Sequence, residues 1–292
     1  MNSTSIVSPQ AERGQGPNDS LPGPSSVSPI PAFSDNYIWL LDNGDGTALV
    51  VDPGDAAPVQ ARLEREGLAL AGILITHHHF DHVGGLKALV ADHACPVYGP
   101  QNPQIAEIDV RLKDGDRCRV GAYDFEVIEV PGHTLDHIAY YQGTASGGEG
   151  SEGSGGIPLL FCGDTLFAGG CGRIFEGTPE MMFASLRRLA SLPDATLVYC
   201  AHEYTLANLA FARAADPSND ALARREQEAK ELRERSIPTV PSSLRLEIAT
   251  NPFLRAEQPQ LGEGLAAAGK APQSRDDAIA CFAALRSWKD NF

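Results

Sequence analysis

Ten consecutive residues, Thr76-His77-His78-His79-Phe80-Asp81-His82-Val83-Gly84-Gly85, restrict this chain more than any other stretch. The apolar run Gly72-Ile73-Leu74-Ile75 leads into them and reads as a buried strand, with a helix expected over 83–92. Between His77 and His82, every residue except Phe80 carries a side chain that binds metals well. Each imidazole has two polar nitrogens that need partners when buried, and a divalent ion supplies the missing one. The plain alternative is a solvated His-rich turn, but packing gives no reason to crowd imidazoles and a carboxylate at one strand end. One strand end cannot supply enough ligands for two ions, so others must arrive from elsewhere in the chain.

They stand where such a fold would need them. Strand-like runs at 125–130, 158–161 and 197–200 end at His133, Asp164 and His202. A lone His133 or His202 reads more simply as a structural histidine. Four strand ends that all carry ligand types do not. The seven residues converge if those ends share one edge of a sheet sandwich. The count then works with His77, His79 and His133 on one ion, and Asp81, His82 and His202 on the other. Asp164 bridges, since a carboxylate offers two oxygens. Paired ions of this kind share a water that becomes a hydroxide near neutral pH. His78 lies between two ligands, so its side chain is expected to point away from the ions and into the structure.

The remaining pattern sets the frame. Residues 1–29 are rich in Ser, Pro and Gly, with Arg13 the one basic residue, and read as a disordered tail rather than a secretion or transit signal. A hairpin is expected from strands at 38–41 and 48–52, joined by Asn43-Gly44-Asp45-Gly46. Helical spacing follows at 57–67. Further strands are expected at 97–98, 117–120 and 138–141. Residues 143–157 read as a flexible Gly/Ser/Glu loop. Thr178 as N-cap and Pro179 at the first position mark a helix to Ser191. Beyond His202 strand signals stop, and helices are expected at 204–214, 219–235 and 276–287. That shift predicts a metal domain over 30–202 and a helical, substrate-binding domain over 203–292.

Composition excludes some partners. The net charge of −15, from 23 basic and 38 acidic residues, argues against a nucleic-acid surface. A small anionic substrate stays compatible, because a local group of Arg and Lys outweighs distant, screened carboxylates. No apolar run approaches the length of a membrane span. The six cysteines contain no Cys-x-x-Cys pair and read as buried thiols in a reducing compartment, the cytoplasm.

The Thr-His-x-His-x-Asp-His stretch, followed in order by His133, Asp164 and His202, resembles the metallo-β-lactamase superfamily. The segments 33–37, 51–54, 131–134 and 161–167 narrow the resemblance to glyoxalase II, the hydroxyacylglutathione hydrolases. So do Gly170-Cys171-Gly172-Arg173, His202-Glu203-Tyr204-Thr205 and the helical tail. The resemblance implies an αββα sandwich, an α/β fold, with a C-terminal helical domain and the same split of ligands over two divalent ions. Zinc is expected, with iron or manganese also suited to such ligands. It further implies that Arg173, Tyr204, Arg286 and Lys289 bind a glutathione thioester, beside Phe175, where some members place a tyrosine hydroxyl. Without it, Arg286 and Lys289 would read as a solvated helix end. Asp136 stands where members usually have Gly, as an outer carboxylate or a solvent-facing one.

The expected activity is hydrolysis of S-D-lactoylglutathione to D-lactate and glutathione by a monomer, the second step of methylglyoxal detoxification. Asp81 and Asp164 hold the ions and the hydroxide between them. Rivals are a β-lactamase, an RNA phosphodiesterase, a metal-free binding module and, ranked second, a mononuclear iron sulfur dioxygenase acting on glutathione persulfide.

Overall fold

Strand β2 (Asn36–Asp42) and β3 (Thr47–Val51) pair antiparallel across the Asn43–Gly46 turn, as the turn residues dictate. Both are buried on two faces, and their side chains alternate between two cores. Trp39, Leu41, Leu49 and Val51 enter one, while Ile38, Leu40, Ala48 and Val50 enter the other. The computed structural model describes residues 26–143, 156–272, 274 and 277–292.

The first sheet runs in the order β1 (Val27–Ala32), β2, β3, β4 (Ala69–Leu74), β5 (Val97–Pro100), β6 (Val110–Leu112). It is antiparallel from β1 to β3 and parallel from β3 to β6. Helices α1 (Ala56–Glu66) and α3 (Leu86–Asp92) cover its outer face through Val59, Leu63, Leu86 and Leu89. The single helix expected over 83–92 is instead α3 preceded by one turn, α2 (Phe80–Val83), with Gly84-Gly85 between them. Gly85 packs so closely on Pro53 and Ala56 that a Cβ would clash with their backbones, which explains a glycine pair where the helix breaks.

The second sheet contains β7 (Arg117–Val120), β8 (Tyr123–Glu129), β9 (Ile138–Gln142) and β10 (Leu159–Gly163). After the small hairpin β11 (Leu166–Phe167) and β12 (Gly170–Cys171), it is completed by β13 (Leu197–Cys200) and β14 (Ser242–Ser243). β10 and β13 are parallel, and the other neighbours are antiparallel. The sheets face each other. Trp39 of β2 lies edge-on to Tyr199 of β13 at 4.9 Å and donates its indole N–H to the Cys200 carbonyl at 2.9 Å. α4 (Pro179–Ala190) buries Met182, Leu186 and Leu189 in this core, and the Thr178 side chain caps its start.

Helices α5 (Thr205–Ala215), α6 (Asp220–Glu234), α7 (Leu244–Thr250), α8 (Pro259–Ala267) and α9 (Ala278–Asp290) follow. Phe211 of α5, Leu244 of α7, Leu261 and Leu265 of α8, and Phe282 and Leu285 of α9 join the core between the sheets, while Leu222 and Ala229 of α6 pack on Leu209 and Ala212 of α5. The expectation that strands stop at His202 is corrected by β14, which lies beyond it and forms the edge of the second sheet. A two-residue edge strand carries too little alternation to be read. The tail expected to reach residue 29 is corrected too, because β1 starts at Val27. Its Ser, Pro and Gly content reads as unstructured, yet β1, which contains Pro29 and Pro31, is an edge strand, where a missing N–H costs little. The earlier part of that tail, and nearly all of the loop expected at 143–157, lie outside the described residues.

Candidate metal centre

All seven candidate ligands come together, carried on the segments that follow β4, β8, β10 and β13. His77 Nε2 lies 3.2 Å from His79 Nδ1, and His133 Nε2 lies 3.0 Å from the same atom. On the other side His202 Nε2 is 3.4 Å from Asp81 Oδ2, and His82 Nε2 is 3.5 Å from that oxygen. Asp164 spans the two groups. Its Oδ2 is 3.4 Å from His133 Nε2, and its Oδ1 is 3.3 Å from His202 and 3.4 Å from His82. Ligand atoms of His77, His79 and His133 lie within 4.8 Å of one another, as do those of Asp81, His82 and His202, and of His77, His82 and Asp164.

What aims these rings is a set of bonds on their far nitrogens. His202 Nδ1–H donates to Asp35 at 2.8 Å, and His82 Nδ1–H to Asp52 at 3.0 Å. His133 Nδ1–H donates to the Arg173 carbonyl at 2.8 Å. His77 Nδ1–H meets the Thr76 hydroxyl at 3.0 Å, which passes its own hydrogen to Asp52 at 2.7 Å. Each such bond fixes the orientation of its ring, so the four Nε2 atoms face inward. Asp52 is the pivot. Its backbone is left-handed (φ 53), and its carboxylate also takes the Thr76 N–H at 2.7 Å. Asn36 steadies Asp81 Oδ2 at 3.0 Å. Gly54 and Gly172 stand where a Cβ would overlap the carbonyl oxygens of Asp81 and Asp164, so glycine lets the neighbouring turns close on the cluster.

Burial alone would raise the Asp164 carboxyl, but the His82 and His202 rings hold it well below the usual carboxylate range. Asp81 is lowered as well, with His202, His82 and Asn36 outweighing burial. In turn, Asp164 and Asp81 overcome the burial of His202 and push it up to about 10, and Asp164 and Asp52 raise His82. His77, His79 and His133 are lowered, chiefly by burial, and offer neutral nitrogens. The carboxylates thus draw positive charge into a pocket where His82 Nε2 and Asp164 Oδ1 are buried without hydrogen-bond partners. Divalent cations supply that charge and take those lone pairs, so the donor set fits a dimetal site.

Asp35, Asn36, Asp52 and His137 carry no role that local spacing assigns, yet they bear on the cluster. His137 is fully buried, stacks on His77 at 4.5 Å and accepts the Asp164 N–H at 3.1 Å. Burial and then His133 hold it down to about 3, so it serves as a neutral spacer beneath the ligands. The segments 33–37 and 51–54, which carry the resemblance, contain Asp35, Asn36 and Asp52 and are the sequence signals that bear on them. His78 does point away from the cluster, but it reaches a half-buried site between carboxylates. Its Nδ1 lies 2.9 Å from Asp136 and its Nε2 3.3 Å from Glu176. Asp136 also accepts from the Asn102 amide at 2.7 Å, so its two oxygens are engaged away from the seven ligands. These three could also hold a cation, but the ring's two nitrogens already face one carboxylate each.

Residues 32–202 match the model of the metallo-β-lactamase superfamily, and residues 203–292 match that of the hydroxyacylglutathione hydrolase C-terminus. A hydroxyacylglutathione hydrolase of Chromohalobacter salexigens is 55% identical over 268 residues, which cover 91% of this chain and 99% of the relative. The chain belongs to the hydroxyacylglutathione hydrolase family. A second member, from Hahella chejuensis, is 50% identical over 92% of this chain and all of its own length. Among solved structures, TTHA1623 in a di-iron-bound form is similar, with TM-score 0.54 and 27% identity over 78% of this chain and 100% of that one.

In this hydroxyacylglutathione hydrolase family member, a cavity of about 470 Å³ opens beside the cluster. His133 and Asp164 form its floor, and Phe167, Arg173, Phe175, Tyr204, Arg286 and Lys289 its walls. Phe175 is exposed and sets its ring edge-on to His133 at 5.3 Å and to His79 at 5.6 Å. The Tyr204 ring lies parallel to His202 at 4.6 Å. Lys289 Nζ donates to the Ala207 carbonyl at 3.2 Å. Arg286 is 6% exposed and donates to the Cys171 carbonyl at 2.9 Å and to Asp290. The helix end that would read as solvated without the family resemblance is therefore packed against the cavity. No helix among the described residues is long and apolar enough to cross a membrane.

Proposed function

We propose that the protein hydrolyses 2-hydroxyacyl glutathione thioesters, S-D-lactoylglutathione above all, to the free acid and glutathione. The observation that carries this reading is the cluster's position. Two sets of three ligand side chains flank Asp164 at the floor of a cavity whose wall is cationic. The 55% identity to a hydroxyacylglutathione hydrolase supports it. The match of residues 203–292 to that family's C-terminus favours it over the iron sulfur dioxygenase alternative.

In this reading His77, His79 and His133 hold one divalent ion, Asp81, His82 and His202 the other, and Asp164 both. When bound, the ions supply a hydroxide at neutral pH and an electrophile for the thioester carbonyl. The chain's own residues do the rest. Asp35, Asp52, Thr76 and the Arg173 carbonyl keep the ligand rings from turning. Asp81 and Asp164 stay ionised in a buried site. Arg173, Tyr204, Arg286 and Lys289 form the wall on which the glutathione portion lies, with its carboxylate drawn to the cations. The apolar face of Phe175 shields the reacting carbon from bulk water beside His133 and His79. Cleavage of the C–S bond releases glutathione thiolate, whose conjugate acid has a pKa near about 8.5, so no strong acid need stand beside it.

The remaining parts of the reading belong together: a metal domain that starts with β1 at Val27 and runs to 202, a substrate domain over 203–292, zinc as the metal, and a cytoplasmic monomer. Six buried cysteines with no disulfide among them support the reducing compartment. The test is turnover of lactoylglutathione, followed by loss of thioester absorbance, alongside oxygen uptake with glutathione persulfide. Thioester cleavage without oxygen uptake is expected, and the reverse would replace this function with the dioxygenase.

A further inference from the structure

Behind the cationic wall of the cavity, a carboxylate to which the hydrolytic reading gives no part pairs with two of the wall's guanidinium groups. Asp290, in the last turn of α9, receives both Nε and Nη2 of Arg286 on one oxygen, Oδ1, at 3.2 and 2.9 Å. Arg173 Nε approaches the same oxygen at 3.8 Å from the loop after β12. Two guanidinium groups from distant parts of the chain therefore converge on one carboxylate oxygen, which is the geometry an incoming substrate carboxylate would need. They are held unequally. The Arg286 side chain is 7% exposed and fixed on the Cys171 carbonyl, whereas that of Arg173 is 64% exposed and outside hydrogen-bond range of Asp290. Lys289 stands beside them. Its amine is lowered by burial first, then by Arg286 and Arg173, while Asp290 works in the opposite direction.

We infer that Asp290 is a built-in competitor for the carboxylate of glutathione, a specificity-determining residue that occupies Arg286, offsets the charge of the nearby Arg173 and so limits how tightly substrate and product are held. The inference rests on the glutathione reading above. Glutathione released by the reaction keeps every carboxylate of the thioester. A cavity that grips the substrate's acid groups grips the product's equally, and such uniform binding lowers KM without helping the chemical step. An internal carboxylate tempers both. It also keeps Arg286 from standing buried and unpaired, which fixes the wall while leaving Arg173 and Lys289 to meet the ligand.

The experiment uses Asp290→Asn, which keeps an oxygen acceptor for Arg286 and removes the charge. KM for lactoylglutathione and the inhibition constant of glutathione are measured in both proteins at low and high salt. Both constants are expected to fall together in the variant, by roughly three- to tenfold at low salt, and to converge on the wild-type values as salt screens the charge difference. Constants that stay the same or rise overturn the inference. A merely structural part for Asp290 gives that second result, since a loosened Arg286 weakens binding. Should the amide variant not fold, Asp290→Ser is measured in the same way. A wild-type protein that cleaves no glutathione thioester, and is not inhibited by glutathione, sinks the underlying function instead, so the two failures are distinguishable.

Discussion

His133 and Arg173 share a hydrogen bond, the His133 Nδ1–H on the Arg173 carbonyl at 2.8 Å, yet their side chains belong to regions held in different ways. On the His133 side the ligands are mostly buried, and four of the five imidazoles have their far nitrogen anchored to a separate group. On the Arg173 side the cavity wall is uneven, with Phe175 62% exposed beside a nearly buried Arg286. A metal centre tolerates little displacement, because its charges are stabilised only while every donor stays aimed. On the proposed function, that wall takes up a flexible, charged peptide and must also let go of it. Damage to the first region should therefore abolish turnover and metal content together. Damage to the second should change KM and leave the chemistry in place.

The largest effect expected is that of Asp164→Ala. Losing the carboxylate that faces both sets of ligands should lower kcat by at least about 10³-fold and reduce the bound metal. Normal turnover with full metal content would refute the shared role. Asp52→Ala comes next. It frees His82 and Thr76 at once, and a cost of roughly 10- to 100-fold in metal affinity is expected from a chelator titration. A variant that holds metal like the wild type would show that the buried rings need no such aiming. Across the boundary, Lys289→Ala should raise KM for the thioester about tenfold, near 1.4 kcal/mol, with kcat kept within a small factor. A loss confined to kcat would erase the contrast between the regions.

The same lysine gives a pH test. Its amine is lowered by burial and by the neighbouring guanidinium groups, so it loses its charge earlier than an ordinary lysine as pH rises. KM should climb at a pH below 10.5, the usual lysine value, and the climb should be missing from Lys289→Ala. A KM profile identical in the two proteins would remove the charge from the account. The smallest change is Phe175→Tyr, which adds a hydroxyl on an exposed ring. Roughly a twofold fall in KM is expected from one solvent-accessible hydrogen bond. A change in kcat above that size would mean the ring touches the chemistry.

The two regions also differed in how far they could be read from residues alone. The ligands were legible because each sits where an apolar run breaks, and strand ends leave a local trace. Their anchors were not. His202 meets Asp35 across 167 positions and His82 meets Asp52 across 30, and no spacing rule links such pairs before the sheets are assembled. In the helical region α5, α6 and α9 follow clear periodicity, but α7 spans seven residues and α8 contains two glycines, which dilutes the pattern. The pairing of Asp290 with Arg286 leaves no sequence trace for a similar reason, since a charge near the end of a helix ordinarily faces solvent.

The most direct test of the account is the metal content of the purified enzyme, measured in parallel with lactoylglutathione turnover during removal and return of divalent metal. The account predicts about two metal ions per chain at full activity, loss of activity on chelation, and its recovery as the second ion is restored. Full thioester hydrolysis in protein stripped of metal, or an activity that saturates at one ion per chain, would contradict it.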